Sequence, residues 1–218
     1  MNALRLISLF CILSLAGFTE VMAAPVQPVA PKELVARLPS PPPDWKLTVS
    51  RAYHEATGRP GLIAIAIREY RWTPPPAAAE ESLLPSPGDP AIVNLTLIDM
   101  AKTAESAPVF AWISQTQDTR SAEKRRLISG VPVVEEVTPL PRTFTFDLSS
   151  RFLLVLKVQN LTEKMTEAWL DRLNLPALLA AAEKAGKLPV PGGPVSIAWF
   201  DELDPKSNRV TQLNTPEP

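Results

Sequence analysis

Residues 142–186 read RTFTFDLSSRFLLVLKVQNLTEKMTEAWLDRLNLPALLAAAEKAG, and this stretch decides the fold. Phe144, Phe146 and Leu148 alternate with Thr143, Thr145 and Asp147, the two-residue period of a half-buried strand. Ser149 and Ser150 break the run as a tight turn. A second strand follows, with Phe152, Leu154, Leu156 and Val158 on one wholly apolar face and polarity returning at Lys157 and Gln159. Burying such side chains contributes roughly 1.5–3 kcal/mol each before the entropy cost of ordering them is counted. That face needs a cover.

The next residues are patterned to supply it. Thr162 is placed as an N-cap, with Glu163 in the first turn where negative charge suits the helix dipole. Met165, Ala168, Trp169 and Leu173 then recur at helical spacing. Asn174 restarts the pattern as a second N-cap, and Pro176 falls where first-turn amides lack partners. Leu175, Leu178, Leu179 and Ala182 form the second stripe, with Lys184 in the last turn and Gly186 as the stop. A C-terminal helix pair covering one face of a sheet is the expected core.

Working outward, the upstream chain reads as strands. Trp45, Leu47, Val49 and Tyr53 are expected on one face, opposite Lys46, Thr48 and Ser50. A turn at residues 56–60 leads to Ile63, Ile65 and Ile67, which oppose Ala64, Ala66 and Arg68 and make a hairpin with the first strand. Val93, Leu95 and Leu97 give another strand, and Val109 to Gln117 a further one with Phe110 and Trp112 on one side. Two more are expected about Gly130-Val131-Pro132, with Val133 and Val137 inward; a short helix over Thr119 to Leu127 has poor apolar spacing. Ile197 and Trp199 belong to a last strand. The sum is an α+β domain: an antiparallel sheet of about seven or eight short strands, because the repeated crossovers that parallel strands require are missing.

The margins are of different composition. Met1 to Ala23 has Arg5, an apolar run from Leu6 to Phe18, and Val21-Met22-Ala23 before a cut between Ala23 and Ala24, the layout of a secretory signal peptide. The run falls short of the roughly 20 apolar residues of a membrane span. Cys11 would leave with it, so the mature chain holds no cysteine. Residues 24–44 are proline-rich, expected as a stiff linker with one helical turn over Lys32 to Leu38. Residues 45–203 make a single domain, with a long proline-rich loop over Thr73 to Pro90, and 204–218 a polar tail. An exported, periplasmic or secreted protein is implied. Its net charge of −1 supplies no field favouring nucleic acid, and no transmembrane segment is expected after signal removal.

Ile128-Ser129-Gly130-Val131-Pro132-Val133-Val134-Glu135-Glu136, followed by Arg151-Phe152-Leu153-Leu154-Val155 and the helices, resembles uncharacterised bacterial exported proteins with a Mog1/PsbP-like sheet-and-helix layout. The resemblance covers the last third of the domain, and the loop at Thr73 to Pro90 departs from it. It implies a binding or assembly accessory.

Catalytic signals are sparse. His54 is the single histidine, next to Glu55 before a turn, and reads as a surface residue. No Gly-x-Ser-x-Gly elbow, phosphate loop or Cys/His metal spacing occurs, so no cofactor or metal is expected. Ser121 and Lys124 have Ser-x-x-Lys spacing, which on a helix would set an amine beside a hydroxyl and suggest a serine hydrolase; Lys102-Thr103-Ala104 precedes it, out of order for penicillin-recognising enzymes. Asp201, Glu202 and Asp204, with Ser207 and Asn208, are oxygen-rich but lack calcium-loop spacing. Glu135 and Glu136 point to opposite faces of a strand. Arg120, Lys124, Arg125 and Arg126 read as a charged edge that discourages strand addition. The sequons at Asn94 and Asn160 sit in or beside strands and are discounted. A non-catalytic binding module taking a protein partner or a small apolar ligand is the expected function.

Overall fold

Strand pairing runs without interruption through a single antiparallel sheet in the computed structural model, which describes residues 27–56, 62–72, 90–101, 106–114, 123–136, 141–186 and 196–212. Among these, nine strands occur: β1 (Trp45–Ala56), β2 (Leu62–Trp72), β3 (Ala91–Asp99), β4 (Glu123–Ile128), β5 (Val131–Glu136), β6 (Arg142–Leu148), β7 (Phe152–Gln159), β8 (Ser196–Asp201) and β9 (Arg209–Gln212). Their order is β4-β5-β6-β7-β3-β2-β1-β8-β9. The helices are α1 (Pro31–Val35), α2 (Ser106–Ser114), α3 (Glu163–Arg172) and α4 (Leu175–Gly186), with a 3-10 turn at Pro205–Ser207.

The register fixes which residues share a face, since directly opposed residues point the same way. Phe146 lies opposite Leu154, Leu154 opposite Leu97, and Leu97 opposite Ala66, so one continuous face carries all four. These residues are fully buried and belong to one core cluster with Leu34 of α1, Trp169 and Leu170 of α3, and Leu175 and Leu178 of α4. Caps set the two later helices as their sequences require: Thr162 Oγ1 accepts from the Met165 amide at 3.3 Å, and Asn174 Oδ1 from the Ala177 amide at 3.2 Å. A smaller cluster on the other face joins Phe110 and Ile113 of α2 to Val134, Ile98 and Leu153.

Several expectations are corrected. The sheet has nine strands because Arg209–Gln212, expected within the polar tail, pairs with β8. Residues 106–114, expected to hold the start of a strand, form α2: Phe110 and Ile113 are buried three residues apart, a helical and not a two-residue spacing. Pro108 is tolerated there because it sits in the first turn. The short helix over Lys32 to Leu38 does form in part, but its stretch is no simple spacer. Leu34, Val35 and Leu38 enter the core.

The faces of the first hairpin also differ from expectation. A bulge between Leu47 and Val49 reverses β1, so Trp45 and Leu47 pack on the main core while Ser50 and Ala52 replace Val49 and Tyr53 on that face. In β2 the alanines face the core: Ala64 and Ala66 are fully buried while Ile63 and Ile67 are half-buried. Small residues are needed where α1 lies close over the strands.

The inward placement of Val133 holds, and Ser129-Gly130, both at positive φ, form the two-residue turn joining β4 to β5. Val137 lies outside the described residues, as do the leader with its Ala23–Ala24 junction, most of the Thr73–Pro90 loop, and the turn at 57–61.

Candidate functional site

Two buried ionic networks come first, because they account for charges that would otherwise suggest chemistry. Asp99, at the end of β3, is fully buried. It accepts from Arg151 Nε and Nη2 at 3.0 and 2.9 Å, from the Val29 amide at 2.7 Å and from the Ala101 amide at 2.9 Å. Arg151 also donates to the Ala185 and Gln27 carbonyls at 2.6 and 3.1 Å. Bidentate pairing satisfies both groups and ties the segment before α1 and the end of α4 to the sheet. This is structural work.

The second network centres on Arg68, which donates to Ser50 Oγ at 3.1 Å, the Leu38 and Pro39 carbonyls at 2.7 and 3.1 Å, and Glu202 at 2.8 Å. Ser50 donates to the same Glu202 carboxylate. The Ser50 hydrogen bond, and then Arg68, hold the Glu202 carboxyl below its ordinary value against the opposing effect of burial. Tyr70, fully buried on the same face, donates to the Pro39 carbonyl, and burial pushes its phenol up to about 12. The hydroxyl of Ser50 therefore has an acceptor and no histidine base.

Among the described residues, those singled out from sequence are not brought together as a reactive set. Lys124 lies on β4, an exposed strand, rather than on a helix. Ser121, Lys102 and Arg120 lie outside the described residues. His54 Nδ1 accepts from the Ala198 amide at 3.2 Å, which ties β1 to β8. Asp201 Oδ1 accepts from the Leu203 and Asp204 amides at 2.9 and 3.0 Å, and Asn208 Oδ1 from the Asp201 amide at 2.6 Å, so the oxygen-rich segment builds its own turn. Among the described residues no group of three or more His, Cys, Asp or Glu could hold a metal ion. Glu135 is buried and paired with Arg142 and Arg126, whose guanidiniums lie 5.0 and 5.9 Å from the Phe144 ring.

The structure adds a concave surface that sequence reasoning missed. The turn Pro42–Trp45 closes through a Trp45 amide to Pro42 carbonyl hydrogen bond of 3.2 Å, with Asp44 at φ 67°. It puts Pro42 and Trp45 on the border of one groove. Across from it, Met165, Ala168, Trp169 and Arg172 lie along one side of α3, at successive spacings of three, one and three residues. Together these six residues line an open groove of about 150 Å³. The Trp169 ring is held edge-on to Trp45, with centroids 5.0 Å apart and planes at 79°, and rests 4.7 Å from Tyr70. Two of the six lining residues are thus aromatic and packed against each other. Arg172 is exposed at the α3 end and, among the described residues, joins no ion pair. The helical spacing of Met165, Ala168 and Trp169 was expected from the sequence as part of the buried stripe, but only Trp169 and Leu173 of that stripe are buried while Ala168 is exposed; the turn that brings Pro42 and Trp45 to meet them was not foreseen.

No family model, curated protein or solved structure matches this chain. Among the described residues no helix is long and apolar enough to cross a membrane.

Proposed function

We propose that this chain is an exported, non-catalytic binding or assembly-accessory module with a Mog1/PsbP-like layout. In it the C-terminal helix pair roofs one face of the sheet, and the Trp45–Trp169 groove receives the ligand. The groove carries the reading: it is concave and mostly apolar, with a cation at one rim. The buried charges elsewhere are mutually satisfied and act as ties within the fold. Export enters through the leader, whose composition motivates it.

A photo-crosslinking amino acid installed at exposed Ala168, and as a control at exposed Lys157 on β7, tests the site in the native envelope. A discrete adduct from position 168 alone is expected. Equal adducts from both positions, or none from 168, would remove the groove from consideration. Fluorophosphonate labelling lost in Ser121→Ala would replace the module with a hydrolase.

A further inference from the structure

The two borders of the sheet differ in what they can accept. β4 and β9 end the strand order, so each is paired on one side only. Three consecutive cations, Lys124, Arg125 and Arg126, occupy β4. Antiparallel pairing of β4 with another β4 about any of the three sets that residue opposite its own copy, and pairing about Leu127 spans only three residues before the Ser129–Gly130 turn. β9 reads Arg-Val-Thr-Gln, and all four residues are exposed. Beyond β8, none of them has a backbone hydrogen-bond partner among the described residues. Its one charge is turned inward, since the Arg209 guanidinium lies 6.0 Å from the Trp199 ring of β8. Val210, opposite Ala198 on the other face, is 70% exposed. No proline and no outward charge guards this border.

We propose that β9 pairs with β9 of a second copy of this chain, antiparallel about a two-fold axis that passes through Val210 normal to the sheet. Such an axis keeps the two faces aligned, so directly opposed residues point the same way. Val210 then packs against Val210 of the copy, which covers the exposed side chain in a β-branched cross-strand pair. Arg209 faces Thr211 of the copy, and Thr211 faces its Arg209, so no like charges are opposed. Head-to-tail growth from β9 to β4 has neither advantage: it never closes, and it brings β9 against the cationic strand. The two-fold contact closes on itself and leaves β4 at both ends of the joined sheet, where its charges resist further addition. Four residues a side, against about 20–30 in a standard stable interface, make the dimer weak and dependent on concentration. It involves none of the residues lining the Trp45–Trp169 groove and stands whether or not that groove binds.

The test uses the whole chain carrying Cys11→Ser, so that an introduced cysteine is the only one. Under mild oxidation at high protein concentration, Val210→Cys is expected to join to itself. A mixture of Arg209→Cys with Thr211→Cys should give the mixed product well above either self-joined one. Sedimentation of the cysteine-free chain should show its mass rising toward that of a dimer between micromolar and millimolar concentration. Val210→Lys, which opposes two cations at the axis, should weaken this association roughly tenfold, with the melting temperature of the dilute protein unchanged because the position is exposed. Leu127→Lys on β4 should leave the association as it was. A chain that stays monomeric to millimolar concentration and gives no Val210→Cys product would overturn the proposal. So would association lost in Leu127→Lys but kept in Val210→Lys, or Arg209→Cys joining to itself as readily as Val210→Cys. A Val210→Cys thiol that couples only to a different protein overturns it too, and leaves β9 as a site for a foreign strand.

Discussion

Ser149 and Ser150 turn β6 into β7 with φ of 61° and 51°, a left-handed conformation that costs residues with a Cβ roughly 1 kcal/mol apiece. Asp147 Oδ1 offsets part of this by accepting from the Ser150 amide at 2.7 Å. Ser149→Asn with Ser150→Gly is therefore expected to raise stability by about 1 kcal/mol, measurable as a higher urea midpoint with unchanged slope. Asp99 and Arg151 behave in the opposite sense. Arg151→Met leaves a fully buried carboxylate facing only amides and should cost about 3–5 kcal/mol, whereas adding Asp99→Asn should restore part of that loss. Urea unfolding of the two single variants and the double variant checks this; additive losses would contradict it. Neither partner's role was legible in the sequence, since Asp99 and Arg151 are 52 positions apart and nothing local marks a buried charge.

At the scale of elements, α1 makes the clearest prediction. If residues 31–38 were spacer, Leu34→Ala would be neutral. Because Leu34 is fully buried among strand and helix side chains, the change should cost about 2–5 kcal/mol in urea unfolding. The run Pro39, Pro41, Pro42 and Pro43 made this segment look extended, and the three apolar residues before it were too few to show a period. The pattern of β6, β7, α3 and α4 was legible because each apolar position there repeats with one period for at least two turns or three alternations. The α2 segment was not: Phe110 and Trp112 mimic strand alternation, and only tertiary packing of Phe110 with Ile113 resolves it. The groove shares this fate, since one side depends on the turn Pro42–Trp45, which no periodicity encodes.

Across the whole molecule, two groups give stability a defined pH dependence. The Tyr70 phenol titrates at about 12 when folded and near 10 when unfolded, so the native state binds its proton more tightly. Its contribution is complete below pH ~10 and disappears as pH rises through about 12. The melting-temperature gap between the natural protein and Tyr70→Phe should be constant from neutrality to about pH 9 and shrink above pH 10. A gap that persists to pH 12 would contradict burial of the phenol. Glu202 acts at the other end. Its carboxyl is depressed, so its contribution is present above the ordinary carboxylate range and lost as pH falls through its folded value. Its side chain is 44% exposed, and solvent screening keeps this effect small.

Strand order has a temporal consequence. Every neighbour pair in the sheet is consecutive along the chain except β3 with β7 and β1 with β8. A polypeptide emerging with its amino end first can therefore assemble β1 to β3 and β4 to β7 as local meanders, then join them. The outer row of β1 amides and carbonyls waits for Ser196 to Asp201, the second-last strand to arrive. Until then it is a bare template for any extended neighbour, so chains stopped short of residue 196 should aggregate.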